Sequence, residues 1–276
     1  MDRRLNFILF LELVVLVSCG KGPNASDVAP KSSKNLTVYC AANLKKPVEA
    51  LAREYEKESG VQVSLQYGGT GTLLSQIQVA KKGDLFIAAD EGSMRDAQTK
   101  NLVREVSPLV VQHPVLAVGK GNPKGIHSLQ DLTKPEVKYA LPNADAASIG
   151  RVSRSLLGAA WEGLMAKAVV VKPTVTDVAA DVKLGAVDAG IVWDSTVPMF
   201  QPLEAVEIPE LTKHRENASA GVLIASEQAG EAKRFVHYLT APNKGGALFK
   251  QMGFTPAGGE KWAFVGGQDS ARLAVQ

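Results

Sequence analysis

The chain predicts an α/β fold of two lobes, each a mostly parallel sheet flanked by helices, with a ligand cleft between them. Three observations point there. Strand-like and helix-like patterns alternate along most of the sequence, which argues for parallel strands joined by helical crossovers. The alternation restarts after "GNPKGIHSLQDLTKP", as a second block would. An extended apolar run, residues 109–118, joins the two blocks. At 276 residues the chain is long enough for one large domain or two ordinary ones.

The N-terminus reads differently from the rest. Arg3 and Arg4 precede "FILFLELVVLV", broken only by Glu12, and "SCG" follows. A basic start, a short apolar run and a small-residue exit describe a secretory signal. The run is shorter than the ~20 apolar residues that a bilayer crossing needs. Leu16-Val17-Ser18-Cys19 resembles the lipobox of bacterial lipoproteins, which implies a signal peptide over residues 1–19 and a lipid on Cys19. Residues 20–35, "GKGPNASDVAPKSSKN", are polar and rich in Pro, Gly and Ser, and read as a flexible tether.

The elements then follow in order. Residues 36–42 form an apolar strand. Residues 47–58 form an amphipathic helix, with Val48, Leu51 and Tyr55 on one face, Pro47 in its first turn and Gly60 past its end. Residues 61–67 alternate as a strand, a helix covers 72–81, and "DLFIAAD" is a short buried strand ending at Asp90. In the second block, strands are expected at 137–141, 168–171 and 189–193, with helices after Ile149 and over 177–184. "AGVLIAS" is a further strand, followed by helices over 228–239 and in "GALFKQMGF". The chain is expected to cross back between 205 and 220. The first lobe is then discontinuous, 36–115 plus 210–259, around a second lobe of 116–209. Residues 260–276 are left as a loosely packed tail.

Chemistry is sparse. The net charge of +3 comes from nearly balanced acids and bases, and no Lys/Arg run interleaves with aromatics, so nothing indicates nucleic acid. Of the two cysteines, Cys40 lies in the apolar run "LTVYCAA" and reads as a small buried hydrophobe. His113, His127, His214 and His237 show no metal-ligand spacing. No H-E-x-x-H, G-x-S-x-G or C-x-x-C occurs. Asp84 and Asp90 flank a strand that separates them by ~20 Å, so turn and cap roles suit them better than acid–base catalysis. The chain does not read as an enzyme, and no cofactor is expected.

What remains is a set of junctions. "GGTGT", residues 68–72, lies between a strand and a helix, where backbone N–H groups and a helix dipole favour an anion. The same residues also make an ordinary capped turn. "AAN" (41–43), "NADAASIG" (143–150) and "VTDVAAD" (175–181) are comparable junctions. In open α/β sheets ligands bind beyond the carboxyl ends of the strands, so the four junctions converge on one cleft.

Three blocks, "LTVYCAANLKKPVEALAREYEKESGVQV", "GGTGTLLSQI" and "GDLFIAAD", open a resemblance that continues through "ALPNADAASIGRVSRSLL", "DVAADVKLGAVDAGIVW" and "LTAPNKGGALFKQMGF". In order and spacing they resemble the molybdate/tungstate-binding proteins of bacterial ABC importers, of the periplasmic-binding-protein fold, over residues 36–256. The resemblance implies a lipid-anchored receptor at the periplasm or cell surface, monomeric, delivering a tetrahedral oxyanion to a permease by hinged closure of its lobes. Its membrane contact is through Cys19 alone. The ligand is molybdate or tungstate, with sulfate or phosphate as the alternative. It also implies an oxyanion held by hydroxyls and backbone N–H groups without a balancing cation, the metal being bound only as that oxyanion. Carried over by position, Asn43 replaces a family Ser and Thr70 keeps a hydroxyl. Ala147 and Val178 donate backbone N–H, and Trp193 stands where the family often has a Tyr.

Overall fold

The computed structural model describes residues 34–263. The signal segment, Cys19, most of the tether and the tail from residue 264 lie outside the described residues. The first lobe begins with β1 (Asn35–Ala41), α1 (Lys45–Ser59), β2 (Gln62–Gly68), α2 (Thr70–Ala80), β3 (Leu85–Ala88), α3 (Glu91–Thr99) and β4 (Val103–Gln112). The second holds β5 (Pro114–Val118), β6 (Tyr139–Pro142), α4 (Ser148–Leu157), α5 (Ala159–Met165), β7 (Val170–Lys172), α6 (Val175–Lys183), β8 (Ala189–Trp193), β9 (Glu204–Val206) and α7 (Pro209–Thr212). The chain then returns with β10 (Glu216–Leu223), α8 (Ala229–Thr240), α9 (Gly245–Gln251) and β11 (Thr255–Pro256).

One sheet has the order β11-β4-β10-β3-β1-β2 and the other β7-β6-β8-β5-β9. Both are mixed rather than mostly parallel. Parallel pairing is confined to β2-β1-β3 and β7-β6-β8, where helices supply the crossovers that parallel strands require. The strands that enter from the inter-lobe crossings, β10 and β5, run antiparallel to their neighbours.

The apolar run is continuous because β1 and β3 are covered on both faces. Leu36, Val38, Cys40, Leu85 and Ile87 pack toward α1 and α8, while Tyr39, Phe86 and Ala88 pack toward α2 and α3. On α1 the buried residues Val48, Leu51, Ala52 and Tyr55 recur at helical spacing. Gly60, at φ 72°, ends that helix in the left-handed region glycine favours. Cys40 is a buried free thiol, and burial pushes its pKa well above the ordinary value.

Two features differ from the sequence reading. The run 109–118 belongs to both sheets, split at His113. The His113 N–H donates to Asp194 Oδ1 (2.9 Å) and its carbonyl accepts from the Asp194 N–H (2.9 Å), which clamps the crossing to the end of β8. Residues 260–263 are not loose. Trp262 packs edge-on to Tyr55 and Tyr238, and its backbone N–H donates to Asn243 Oδ1 at 2.8 Å. An indole is large enough to complete an aromatic cluster that the helices leave open.

Candidate functional site

Three helices begin at one place between the lobes. Thr70 opens α2 after an extended Gly69 (φ −66°, ψ 142°), Ser148 opens α4 after Ala147, and Val175 opens α6 after Thr174. With Ala41, Ala42, Asn43 and Gly68, these six make up the ten residues that line a small cleft. Its volume of about 10 Å³ is on the order of one water position. No Lys, Arg or His lines it. A wider mouth of about 360 Å³ adjoins it, lined also by Lys45, Lys46, Tyr67, Thr176, Asp177 and Phe200.

The helix starts carry the electrostatics. Among the described residues, no backbone carbonyl accepts from the N–H of Thr70, Ser148 or Val175. Such unshared donors carry the positive ends of their helix dipoles, and three of them facing one cleft favour an anion. The Thr70 hydroxyl oxygen accepts from the Ala89 N–H at 3.3 Å, which leaves its own proton to donate.

The glycines of "GGTGT" have a second task. Gly71 N–H donates to the Ala146 carbonyl across the cleft at 2.9 Å, and Thr72 N–H reaches the same oxygen at 3.4 Å. A Cβ on Gly69 would stand 2.4 Å from Ala146 O and 2.5 Å from Pro173 O, and one on Gly71 would stand 2.1 Å from Asp145 O. Bare backbone is therefore what lets the lobes meet. The donors at 71 and 72 are engaged by protein, so the loop's contribution to an anion narrows to Thr70. Flanking contacts also span the lobes: Arg151 Nη1 to Asp96 Oδ2 at 2.7 Å, and Lys46 Nζ to the Met199 carbonyl at 2.9 Å. The Arg151 guanidinium holds the Asp96 carboxyl below its usual range.

Of the five residues carried over by position, Asn43, Thr70 and Ala147 line the cleft, and Val178 and Trp193 do not. The Ala147 N–H is already donated to Asn143 O at 2.9 Å, so the unshared donor is that of its neighbour Ser148. Val178 lies one turn into α6, its N–H directed at Thr174 O (3.4 Å) and its side chain packed near Gly190. Val175 holds the cleft position instead. Trp193 is fully buried in the second-lobe core, and its indole N–H has no partner among the described residues. Ser148 and Val175 lie in the junctions 143–150 and 175–181 without having been singled out there as site residues, and Thr174 escaped the sequence reading. Thr174 and Asp177, three residues apart, are the helix-start signal that marks Val175: the Asp177 N–H donates to Thr174 Oγ1 at 3.1 Å.

Asp84 and Asp90 serve the backbone. Asp84 Oδ2 accepts from the Thr37 N–H (2.8 Å), and Asp90 Oδ1 caps α3 by accepting from the Ser93 N–H (2.7 Å). Burial raises the Asp90 pKa. Among the described residues, no group of three His, Cys, Asp or Glu side chains could hold a metal ion, and no helix is long and apolar enough to cross a membrane.

The chain is similar to known proteins over most of its length. A Haemophilus influenzae protein described as a binding protein is 30% identical over 226 residues, 81% of this chain and 91% of that one. The molybdate-binding protein ModA of Mycobacterium tuberculosis is 27% identical over 244 residues, 87% of this chain and 92% of its own. The solved structure of the sulfate-binding protein SubI from the same organism superposes with a TM-score of 0.69 at 17% identity, over 81% of this chain and 87% of that one. At that identity the likeness bears on the two-lobed fold alone. A family profile, bacterial extracellular solute-binding protein, matches residues 36–255. The chain belongs to that family of bacterial extracellular solute-binding proteins.

Proposed function

We propose that this receptor captures a tetrahedral oxyanion, molybdate or tungstate, and hands it to the permease of an ABC importer. As a substrate-binding protein of that transport class it is a binding receptor and not an enzyme. The observation that carries the ligand class is the trio of unshared N–H groups of Thr70, Ser148 and Val175 around a cleft without a cation. Neutral donors stabilise a desolvated dianion and discriminate by cavity size rather than by charge. The M. tuberculosis relative's name supports molybdate. In this reading Asn43 and Thr70 contribute side chains, and Ser148 and Val175 replace Ala147 and Val178 as backbone donors. Trp193 shapes the core behind the site.

The lobes divide at the crossings near residues 112–114 and 206–216, and closure is a hinge motion about them. The receptor works as a monomer, anchored at the periplasmic or outer cell surface by a lipid on Cys19. No cofactor takes part. Sulfate is the competing ligand, because its charge and shape are the same and its size alone differs. Calorimetry on the purified chain with molybdate, tungstate, sulfate and phosphate tests the assignment. Saturable binding of molybdate and tungstate ahead of sulfate is the expected result, and no heat from any of the four would reject an oxyanion receptor.

A further inference from the structure

We propose that Gln112 is the positioning residue of the anion site, joining the first-lobe wall to the second lobe through one buried amide. It is the last residue of β4, at the point where the chain leaves the first sheet, and it is fully buried. Its Nε2 donates to the Ala89 carbonyl at 2.9 Å. A carbonyl can only accept, so the nitrogen of this amide must face Ala89 and the oxygen must face the other way. That oxygen accepts twice, from Asn43 Nδ2 at 3.0 Å and from the Ser195 hydroxyl at 2.9 Å. Asn43 is a cleft residue of the first lobe, and Ser195 follows β8 in the second.

The sense of every bond in this network is therefore fixed. Ser195 and Asn43 donate to Gln112, Gln112 donates to Ala89, and the Ala89 N–H donates to Thr70 Oγ1. The Asn43 amide cannot flip while its nitrogen is held, and Ala89, whose N–H orients the Thr70 hydroxyl, is held through its carbonyl by the same side chain. Both cleft side chains of the first lobe are thus set by a residue that does not line the cleft. Asn43, Gln112, Ser195 and Thr70 are each no more than 2% exposed, and in so dry a setting a half-satisfied network costs more than none.

The inference rests on the oxyanion reading above, and its test separates the two. Molybdate and sulfate affinities are measured by calorimetry on the purified chain at pH 7 and pH 5, for wild type, Gln112→Met and Gln112→Glu, with melting curves alongside. Gln112→Met fills the same space without either polar group and is expected to bind at least about tenfold more weakly while remaining folded. Gln112→Glu carries the donor needed at Ala89 only when protonated, and burial favours that form. It is expected to bind weakly at pH 7 and to recover toward wild type at pH 5, a profile the wild type does not share. A residue that merely fills space would not produce that difference. Should Gln112→Met not fold, the two-pH comparison of Gln112→Glu decides alone. Variants within about twofold of wild type, or a Gln112→Glu profile parallel to wild type, would overturn the role of Gln112 and leave the receptor reading standing. Wild type that binds neither anion overturns both.

Discussion

Gly71 of the first lobe donates its N–H to the carbonyl of Ala146 in the second, at 2.9 Å, across the cleft the two lobes enclose. The contact needs a residue without a side chain, because a Cβ there would stand 2.1 Å from Asp145 O. Gly71→Ala is therefore expected to hold the lobes apart without unfolding either. Oxyanion affinity should fall by about tenfold or more in calorimetry, with the melting temperature of the free protein nearly unchanged.

Thr70 gives a finer probe of the same wall. Thr70→Val keeps the shape and removes the hydroxyl, leaving the Ala89 N–H unpaired and the cleft one donor short. A loss of about 1–3 kcal/mol in binding is expected, roughly fivefold to 150-fold. Thr70→Ser should retain most of the affinity. A loss confined to Thr70→Ser, with Thr70→Val close to wild type, would show that the methyl packing, not the hydroxyl, matters.

The Arg151–Asp96 pair bridges the lobes at 2.7 Å, with both side chains partly exposed. Arg151→Ala should cost less than about 1 kcal/mol of folding stability, since exposed pairs are screened by solvent. The Asp96 pKa is lowered, foremost by the hydrogen bond from Arg151. Its contribution is thus full above the ordinary carboxyl range near pH ~4 and is lost as pH falls through the lower folded value. Ligand release measured by stopped flow should quicken in that acid window for wild type, and Arg151→Ala should release quickly at every pH.

Asp90 has the opposite sign. Burial raises its pKa, and its Oδ2 has no partner among the described residues. A raised carboxyl contributes stability below its unfolded value and loses it as pH rises through the folded one. Asp90→Asn, which still caps α3, should raise the melting temperature at pH 7 by about 2–4 °C. The gain should vanish below pH ~4. A lower melting temperature at pH 7 would mean that the carboxylate is paired.

Cys19→Ala tests the anchor. In bacterial cells the wild-type chain is expected in the detergent phase after phase partitioning, with incorporation of labelled fatty acid. The variant should pass to the aqueous phase unlabelled. A wild-type chain that is already aqueous and unlabelled would remove the lipid from the proposal.

Much of the fold was legible because its strands bury both faces. "TVYCA" and "AGIVW" are short apolar runs bounded by turn residues, and β1 and β8 occupy them. The pieces that escaped, β9 and β11, are short edge strands of three and two residues without a pattern to read. The lining of the candidate cleft was legible to within one helical turn. Positional likeness reached α6 at Val178, but an unshared N–H exists only in the first turn, where Val175 lies. Trp193 was placed by likeness to a hydroxyl-bearing residue, and an indole of its size packs into the core instead. Gln112 had no local signal, because its three partners lie 23 to 83 residues away in sequence.

A cleft lined by no cation has an electrical consequence. In the proposed reading no titratable side chain lines the cleft to take up a proton with a bound dianion, so the occupied receptor carries two more negative charges than the empty one. Loading is then visible from outside as a change in the whole particle's field, through mobility in an electric gradient or retention on an ion exchanger. A transporter surface that meets both forms is offered two objects that differ in charge as well as in closure.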